Sequence, residues 1–536
     1  MRTALGLAAA VLVAIVAFWW RLGIPVPMPP SPFAPGEKLY CVSYTPFRGS
    51  QTPLDLTTHI DPAQIEDDLA RLARLTDCVR TYSTDLGLDQ VAGIAARHGL
   101  KVMQGIWLGR TAARNAQEIE TAVALAKQYP DVVRALIVGN EVLLRGELGQ
   151  AAVAKAIREV KAQVSVPVTY ADVWEFWLRN RDVYDAVDFV TIHILPYWED
   201  FPIPTAQAAD HVESIRRQVV TAFPDKEVLI GEVGWPSEGR MREGALPSPA
   251  DQARVMHDVL TMAKRENVRV NVIEAFDQPW KRALEGTVGG HWGFLDGDSR
   301  AFKFTWGEAV SNHPRWPVQA AAGAVLAALV FVAAALARRG GGGTPEPEAG
   351  HWLAVATIAL VAGSLIGWTL ENVPVESLGI GGWTRSLAMA VLALASPLAA
   401  AAAVMRRLPA PAFSTILGGR ERRAHDPLAM ILGGLLIGIA AVALEVALGL
   451  SFDPRYRDFP FAPLTGAAVP FVVLAVAVGP GKGIRGVAET VTAAVLAVAT
   501  VYIAFNESYA NWQAMWLCAD LAAIAVTLTR SRGVQS

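Results

Sequence analysis

From residue 38 to residue 316 short apolar runs alternate with longer stretches whose hydrophobic positions recur every three or four residues. The runs at 39–44, 78–82, 101–107, 133–139, 167–171, 187–193, 228–232 and 271–276 are rich in Val, Ile and Tyr, which predicts β-strands. Between them lie segments such as PAQIEDDLARLARL and NAQEIETAVALAKQY; in the first, Ile65, Leu69, Leu72 and Leu75 fall on one helix face. Strands alternating with helices predict an α/β fold and argue against a sandwich. Eight such units over about 280 residues predict a (β/α)8 barrel.

Outside that window the periodicity gives way to continuous apolar runs. Residues 3–20 carry no charge and are long enough to span a bilayer. Further runs lie at 318–337, 351–370, 384–405, 428–450, 464–479, 487–505 and 512–529, of which 464–479 is the shortest. The expected organisation is an N-terminal anchor at 1–22 and a proline-rich spacer at 23–37. The barrel follows at 38–316, and an all-α domain of seven spans at 317–536. No small-x-small cleavage site follows the first run, which reads WWRLGIPVPMPP, so an uncleaved anchor is expected.

Charge then sets the orientation. With residue 1 in the cytoplasm and eight spans, the cytoplasmic pieces hold Arg2, Arg338, Arg339, Arg406, Arg407, Arg420, Arg422, Arg423, Lys482, Arg485, Arg530 and Arg532. The opposite short loops hold Arg385, Arg455 and Arg457. This positive-inside bias places the barrel outside the cytoplasm. The stretch GGGGTPEPE becomes a cytoplasmic loop. Over 536 residues, 52% are hydrophobic and the mean hydropathy is +0.31, more than a soluble protein carries. Residues 38–316 hold 31 Lys and Arg against 37 Asp and Glu, a net −6 with no basic stripe, which argues against nucleic acid as a partner. Cys41, Cys78 and Cys518 show no metal-ligand spacing. A disulfide between Cys41 and Cys78 fits an oxidising compartment, but two buried thiols are the favoured reading.

Two strand ends carry the chemistry. LIVGNEVLLRG (136–146) and VLIGEVGWPSEG (228–239) both run from an apolar strand into a glutamate, Glu141 after strand four and Glu232 on strand seven. A single strand-end glutamate is more often a cap or a surface charge. Two at the C-terminal mouth of one barrel, where active sites sit, suit retaining glycoside hydrolysis, with one acid/base and one nucleophile roughly 5 Å apart. The acid should have a raised pKa. In the apolar runs, Glu445, Glu489 and Asp520 stand within spans; only Asp520 is near a middle, and the other two are close enough to reach water.

VGNEVL, GEVGWPS and IEAFDQPWK, together with YTPF and RTYSTD, resemble family 17 of the glycoside hydrolases, the β-1,3-glucanase and β-1,3-glucan glucanosyltransferase family. The resemblance covers about residues 38–312. It implies a (β/α)8 barrel with Glu141 as acid/base, Glu232 as nucleophile, and Asn140 as the residue that hydrogen-bonds the sugar 2-hydroxyl. It implies no metal and no organic cofactor. Where plant members have an asparagine after strand six, this chain has His193, either a polar sugar contact or a core histidine bonded to a backbone carbonyl. Gln278 stands where fungal patterns have glutamate. Glu274 is expected to support the nucleophile or to touch sugar. Tyr44, Tyr82, Tyr170, Trp174, Tyr197, Trp198, Trp235 and Trp280 sit at or after strand ends, where flat rings stack on sugar C–H faces or pack beneath loops. Among them Tyr44, Tyr82, Tyr170, Tyr197, Trp235 and Trp280 are the candidate substrate contacts. The multi-span context resembles the rhizobial cyclic β-glucan proteins, which implies glucanosyl transfer and β-1,6 links. The expected partners are a β-glucan, membrane lipid and a glucan synthase. The alternatives are a β-1,3-glucan hydrolase and a non-catalytic glycan-binding or export-accessory protein.

Overall fold

The computed structural model describes residues 2–340, 348–417, 426–480 and 486–530. Residues 341–347 of the glycine-rich stretch, and Arg420, Arg422, Arg423, Lys482, Arg485 and Arg532, lie outside them. The chain divides into two compact units. One comprises Pro27–Glu238 and Gly244–Val310; the other comprises Met1–Val26, Gly239–Glu243 and Ser311–Ser536.

The first unit is a closed barrel of eight parallel strands in chain order. They are β1 (Cys41–Ser43), β2 (Cys78–Arg80), β3 (Lys101–Ile106), β4 (Val133–Asn140), β5 (Val168–Val173), β6 (Val190–His193), β7 (Val228–Val233) and β8 (Val270–Val272). All eight expected strands are present. Helices join them and bury one stripe each; Pro62–Leu72 turns Ile65, Leu69 and Leu72 inward. Its start is set by Asp61, whose side chain accepts from the Ala63 N–H, with Pro62 in the first turn where no N–H is missed. Ser248 and Pro249 repeat the device on Pro249–Arg265.

Between β6 and β7 the backbone leaves little room. A β-carbon on Gly231 would lie 2.3 Å from Thr191 Cγ2, so only glycine lets β7 approach β6 one residue before Glu232. At the other end of the strands, Val42 pairs with Val79, which sets Cys41 beside Cys78. The two are joined in a disulfide, against the expectation of free thiols. The reason is register: two cysteines one step from a matched pair on adjacent parallel strands lie at bonding distance, and strand spacing alone does not reveal the register. Alkylation of the denatured chain should label Cys41 and Cys78 only after reduction; labelling without reductant would overturn the bond. Because such bonds persist in oxidising compartments, the result also bears on which side of the membrane the barrel occupies.

The second unit is helical. Among the described residues seven helices are long and apolar enough to cross a membrane: Arg2–Gly23, Trp316–Arg339, Ala349–Glu376, Gly379–Arg406, Pro427–Phe452, Val487–Glu507 and Trp512–Arg530. They mark the chain as membrane-embedded. The expected span at 464–479 is Phe461–Ala477, a helix of 17 residues that carries Pro470 in its interior. At 1.5 Å per residue it lies at the lower end of the roughly 17–25 residues that cross a hydrocarbon core. The other six described C-terminal helices are longer, at 19 to 28 residues. Close helix crossings are made by small residues: a β-carbon on Gly323 would lie 2.1 Å from the Gly363 carbonyl oxygen. Trp19 of the first helix donates Nε1–H to the Ser364 carbonyl at 3.1 Å, so the N-terminal helix packs as part of the bundle. Within the same unit Arg240 pairs with Glu507 at 2.5 Å. Asp520 accepts from the Thr465 hydroxyl, and Glu489 accepts from the Phe413 N–H at 2.6 Å.

Candidate active site

The C-terminal ends of β2, β4, β6 and β7 deliver Arg80, Asn140, His193 and Glu232 to one place. Asn140 is the last residue of β4, and Glu141 follows in the left-handed region at φ 52°, with its N–H donating to the Ala171 carbonyl at 2.8 Å. A non-glycine residue rarely adopts that conformation, and such outliers gather where a side chain must be aimed. Glu141 Oε1 lies 2.8 Å from His193 Nδ1, and Glu232 Oε1 lies 3.5 Å from His193 Nε2. One oxygen of each carboxylate and one ring nitrogen all fall within 4.8 Å of one another.

Glu232 is 4% exposed and well supplied with donors. Tyr82 donates its hydroxyl to Glu232 Oε1 at 2.8 Å, and Arg80 Nη1 donates to the same oxygen at 3.1 Å. Arg80 is the hub. It is 1% exposed, and it also donates to the Gly231 carbonyl at 2.7 Å and to Asn140 Oδ1. The cluster of Glu141, His193 and Glu232 has the donor spacing of a cation site. The Arg80 guanidinium, 3.3 Å from His193 Nε2, already supplies a fixed positive charge there and opposes a second one.

The Glu141 carboxyl is held below its ordinary range, opposite to the raised value expected of it. Burial alone would push it up, but the hydrogen bond and charge of His193, together with Arg145 and Arg80, outweigh that. Around this pair the other acids move up. Burial raises Asp172 to about 6, against the Tyr170 hydroxyl that bonds it. Burial raises Glu274 to about 7, offset in part by Lys281. Burial also raises Glu285, and the negative charges of Glu141 and Glu232 add to it while Lys281 opposes it.

The remaining expected residues divide by exposure. Tyr44, Tyr170, Tyr197 and Trp235 are fully buried and present no open face. Tyr44 donates to Asp68, Tyr170 to Asp172, and Trp235 Nε1–H to the Leu246 carbonyl; the Tyr197 ring is wedged among Trp198, Trp235 and Trp292. They are packing beneath the mouth, because the strand-end rings that look free in sequence point into the layer between barrel and helices. Glu274 is 0% exposed and bonded to Lys281 at 3.0 Å, so it is sealed from sugar. Trp177 is buried as well. Tyr82, Trp174, Trp198 and Trp280 keep part of their surface, as does Trp107, over which Arg145 stacks at 4.2 Å. Gln278 explains its own departure from the fungal pattern. Its amide donates to the Thr45 and Phe276 carbonyls, at 2.9 and 3.2 Å, and a carboxylate has no hydrogen to give them. His193 is not bonded to a main-chain carbonyl: Nδ1 faces Glu141, and Nε2 lies between Glu232 and Arg80.

Residues 41–293 match the family model of the BtgE/BtgC glycoside hydrolase domain. The barrel is glycoside hydrolase family 17-like. Among curated relatives, a glucan 1,3-beta-glucosidase of Candida albicans is 27% identical over 44% of this chain and 84% of its own length. A probable glucan endo-1,3-beta-glucosidase of Aspergillus clavatus is 27% identical over 45% of this chain and 38% of its own. Among solved structures, an active-site mutant of the Rhizomucor miehei beta-1,3-glucanosyltransferase in complex with laminaritriose is 27% identical, with a TM-score of 0.45, covering 50% of this chain and 97% of that one.

In this family 17-like enzyme the residue that the sequence reading passed over is Arg80. A signal for it exists: an arginine inside the strand-like run CVRTY is too costly to bury without anionic and carbonyl partners. Arg145, Lys281 and Glu285 were passed over too. All three lie after strands, where charged residues are common and position alone distinguishes nothing.

Proposed function

We propose that the protein is a membrane-anchored retaining enzyme that acts on β-1,3-glucan and passes glucanosyl units between glucans. Glu141 serves as acid/base and Glu232 as nucleophile. The observation that carries this reading is the pair's separation. One oxygen of Glu141 and one of Glu232 lie within 4.8 Å of each other, which supports the roughly 5–5.5 Å spacing of retaining enzymes over the roughly 6.5–9.5 Å of inverting ones. In the first half-reaction Glu141 gives its proton to the glycosidic oxygen as that bond breaks, and Glu232 forms an ester with the anomeric carbon. In the second, an acceptor hydroxyl gives its proton to Glu141 and its oxygen displaces Glu232. Asn140, whose Oδ1 accepts from Arg80 and which precedes Glu141 in the chain, is the residue assigned to the sugar 2-hydroxyl.

The relatives' names support β-1,3-glucan as substrate. Transfer over hydrolysis is supported by the partly exposed Tyr82, Trp107, Trp174, Trp198 and Trp280, more rings than one donor site needs, on which an acceptor sugar would be oriented by stacking. The barrel is bracketed in sequence by the apolar helices Arg2–Gly23 and Trp316–Gly340, which suits remodelling glucan at a membrane. The arginine bias and the Cys41–Cys78 bond support a periplasmic barrel on a bacterial inner membrane. β-1,6-linked or cyclic glucan as product, and a glucan synthase as the source, rest on the resemblance of the multi-span context to the rhizobial cyclic β-glucan proteins. Incubating the detergent-solubilised full chain with laminaripentaose should give products longer than the substrate from the earliest times. Shorter sugars alone would make it the hydrolase that the glucosidase names of its relatives favour.

A further inference from the structure

His193 is the only described side chain placed between the two glutamates with a nitrogen toward each. It is 1% exposed and is held by register, because β6 and β7 align His193 with Glu232 across an irregular step after Ile192. Its proton can be assigned from its neighbours. Arginine has donors and no acceptor, so the 3.3 Å approach of Arg80 Nη1 turns the lone pair of Nε2 toward that donor. The ring hydrogen then sits on Nδ1, 2.8 Å from Glu141 Oε1. The other charged groups facing this spot are Arg145 after β4, Asp172 on β5, Glu232 on β7 and Glu285 after β8.

We propose that His193 is a positioning residue for Glu141: its Nδ1–H donates to Oε1, fixes the carboxyl at the mouth and favours its ionised form. The inference rests on the retaining reading above. In the first half-reaction the proton leaves Glu141 from its other oxygen, and the histidine stabilises the carboxylate left behind. In the second, the same bond keeps Glu141 ionised until the acceptor hydroxyl delivers its proton. Burial works the other way, disfavouring the ion, so this donor decides which form prevails. The lowered Glu141 carboxyl agrees with that balance. The ring also joins the two charges. Once Glu232 becomes a neutral ester, Arg80 no longer faces an anion there, and its charge and the His193 Nδ1–H both favour the Glu141 carboxylate. The acid of the first step thereby becomes the base of the second.

The test is the pH dependence of kcat/KM for laminaripentaose, measured on the full chain in detergent. Its alkaline limb reports loss of the Glu141 proton in the free enzyme. His193→Phe keeps a ring and removes both nitrogens. Without the donor Glu141 holds its proton to higher pH, so the limb should move up by about one pH unit while the melting transition stays native. A lower rate with an unmoved limb would overturn the proposal, since a merely structural role changes the rate and not the limb. If the phenylalanine variant does not fold, His193→Ala is judged by the same limb. A wild-type chain that leaves laminaripentaose intact would overturn the functional reading itself, and this proposal with it.

Discussion

Glu232→Gln lowers turnover of β-1,3-glucan at least about 10⁴-fold, the scale at which removal of a nucleophile acts, and leaves glucan binding within a few-fold of wild type. The glutamine is nearly isosteric, so β7 and the packing around Gly231 are undisturbed. What disappears is the oxygen nucleophile. An amide oxygen does not form the glycosyl ester, and no other described carboxylate takes its place: Glu274 is sealed against Lys281, and Glu141 is committed to His193. Binding survives because Tyr82, Trp198 and Trp280 keep their surfaces and Asn140 stays fixed by Arg80. Initial rates on laminaripentaose, paired with titration calorimetry of the inactive variant, separate the two effects. Activity within tenfold of wild type would remove Glu232 as nucleophile.

Arg80→Met produces the second large effect, on stability and activity together. The side chain is 1% exposed and bonds Glu232, Asn140 and the Gly231 carbonyl at once. Methionine fills much of the volume but leaves a buried carboxylate without its cation. Breaking a buried pair from one side costs about 3–5 kcal/mol, read as a fall in the barrel's unfolding transition. Turnover should fall by about 10²–10³, the usual cost of a lost preorganised donor. Arg80→Lys should recover little. A single ammonium lacks the planar fork that reaches Glu232 and Asn140 together. A methionine variant that melts with the wild type and keeps its rate would show that the hub is dispensable.

These two residues stand on opposite sides of what a sequence can reveal. Glu232 was legible because its evidence is local: an apolar run of strand composition ends in a carboxylate, and a barrel puts every such end at one mouth. Arg80 lies in an equally local run, but its meaning resides in partners 60 and more than 150 residues away. Trp235 and Tyr197 show the reverse error. Their position after strands resembles that of a sugar platform, yet both are buried. The direction in which a ring leaves the barrel depends on loop geometry that no pattern of types records.

The sequence by itself determined the eight strands, the helices between them, the apolar spans and the pair Glu141 and Glu232, because period, length and strand-end position are properties of neighbouring residues. Tertiary structure alone decided the rest. Register around the closed barrel brought Cys41 to Cys78, set His193 between the two carboxylates and drove Arg80 into contact with both Glu232 and Asn140. It also reversed the expected shift of Glu141, because a carboxyl's proton affinity is the balance of burial against the charges that the fold assembles around it. Strand composition fixes which residues reach the mouth; only closure of the barrel fixes which atoms meet there.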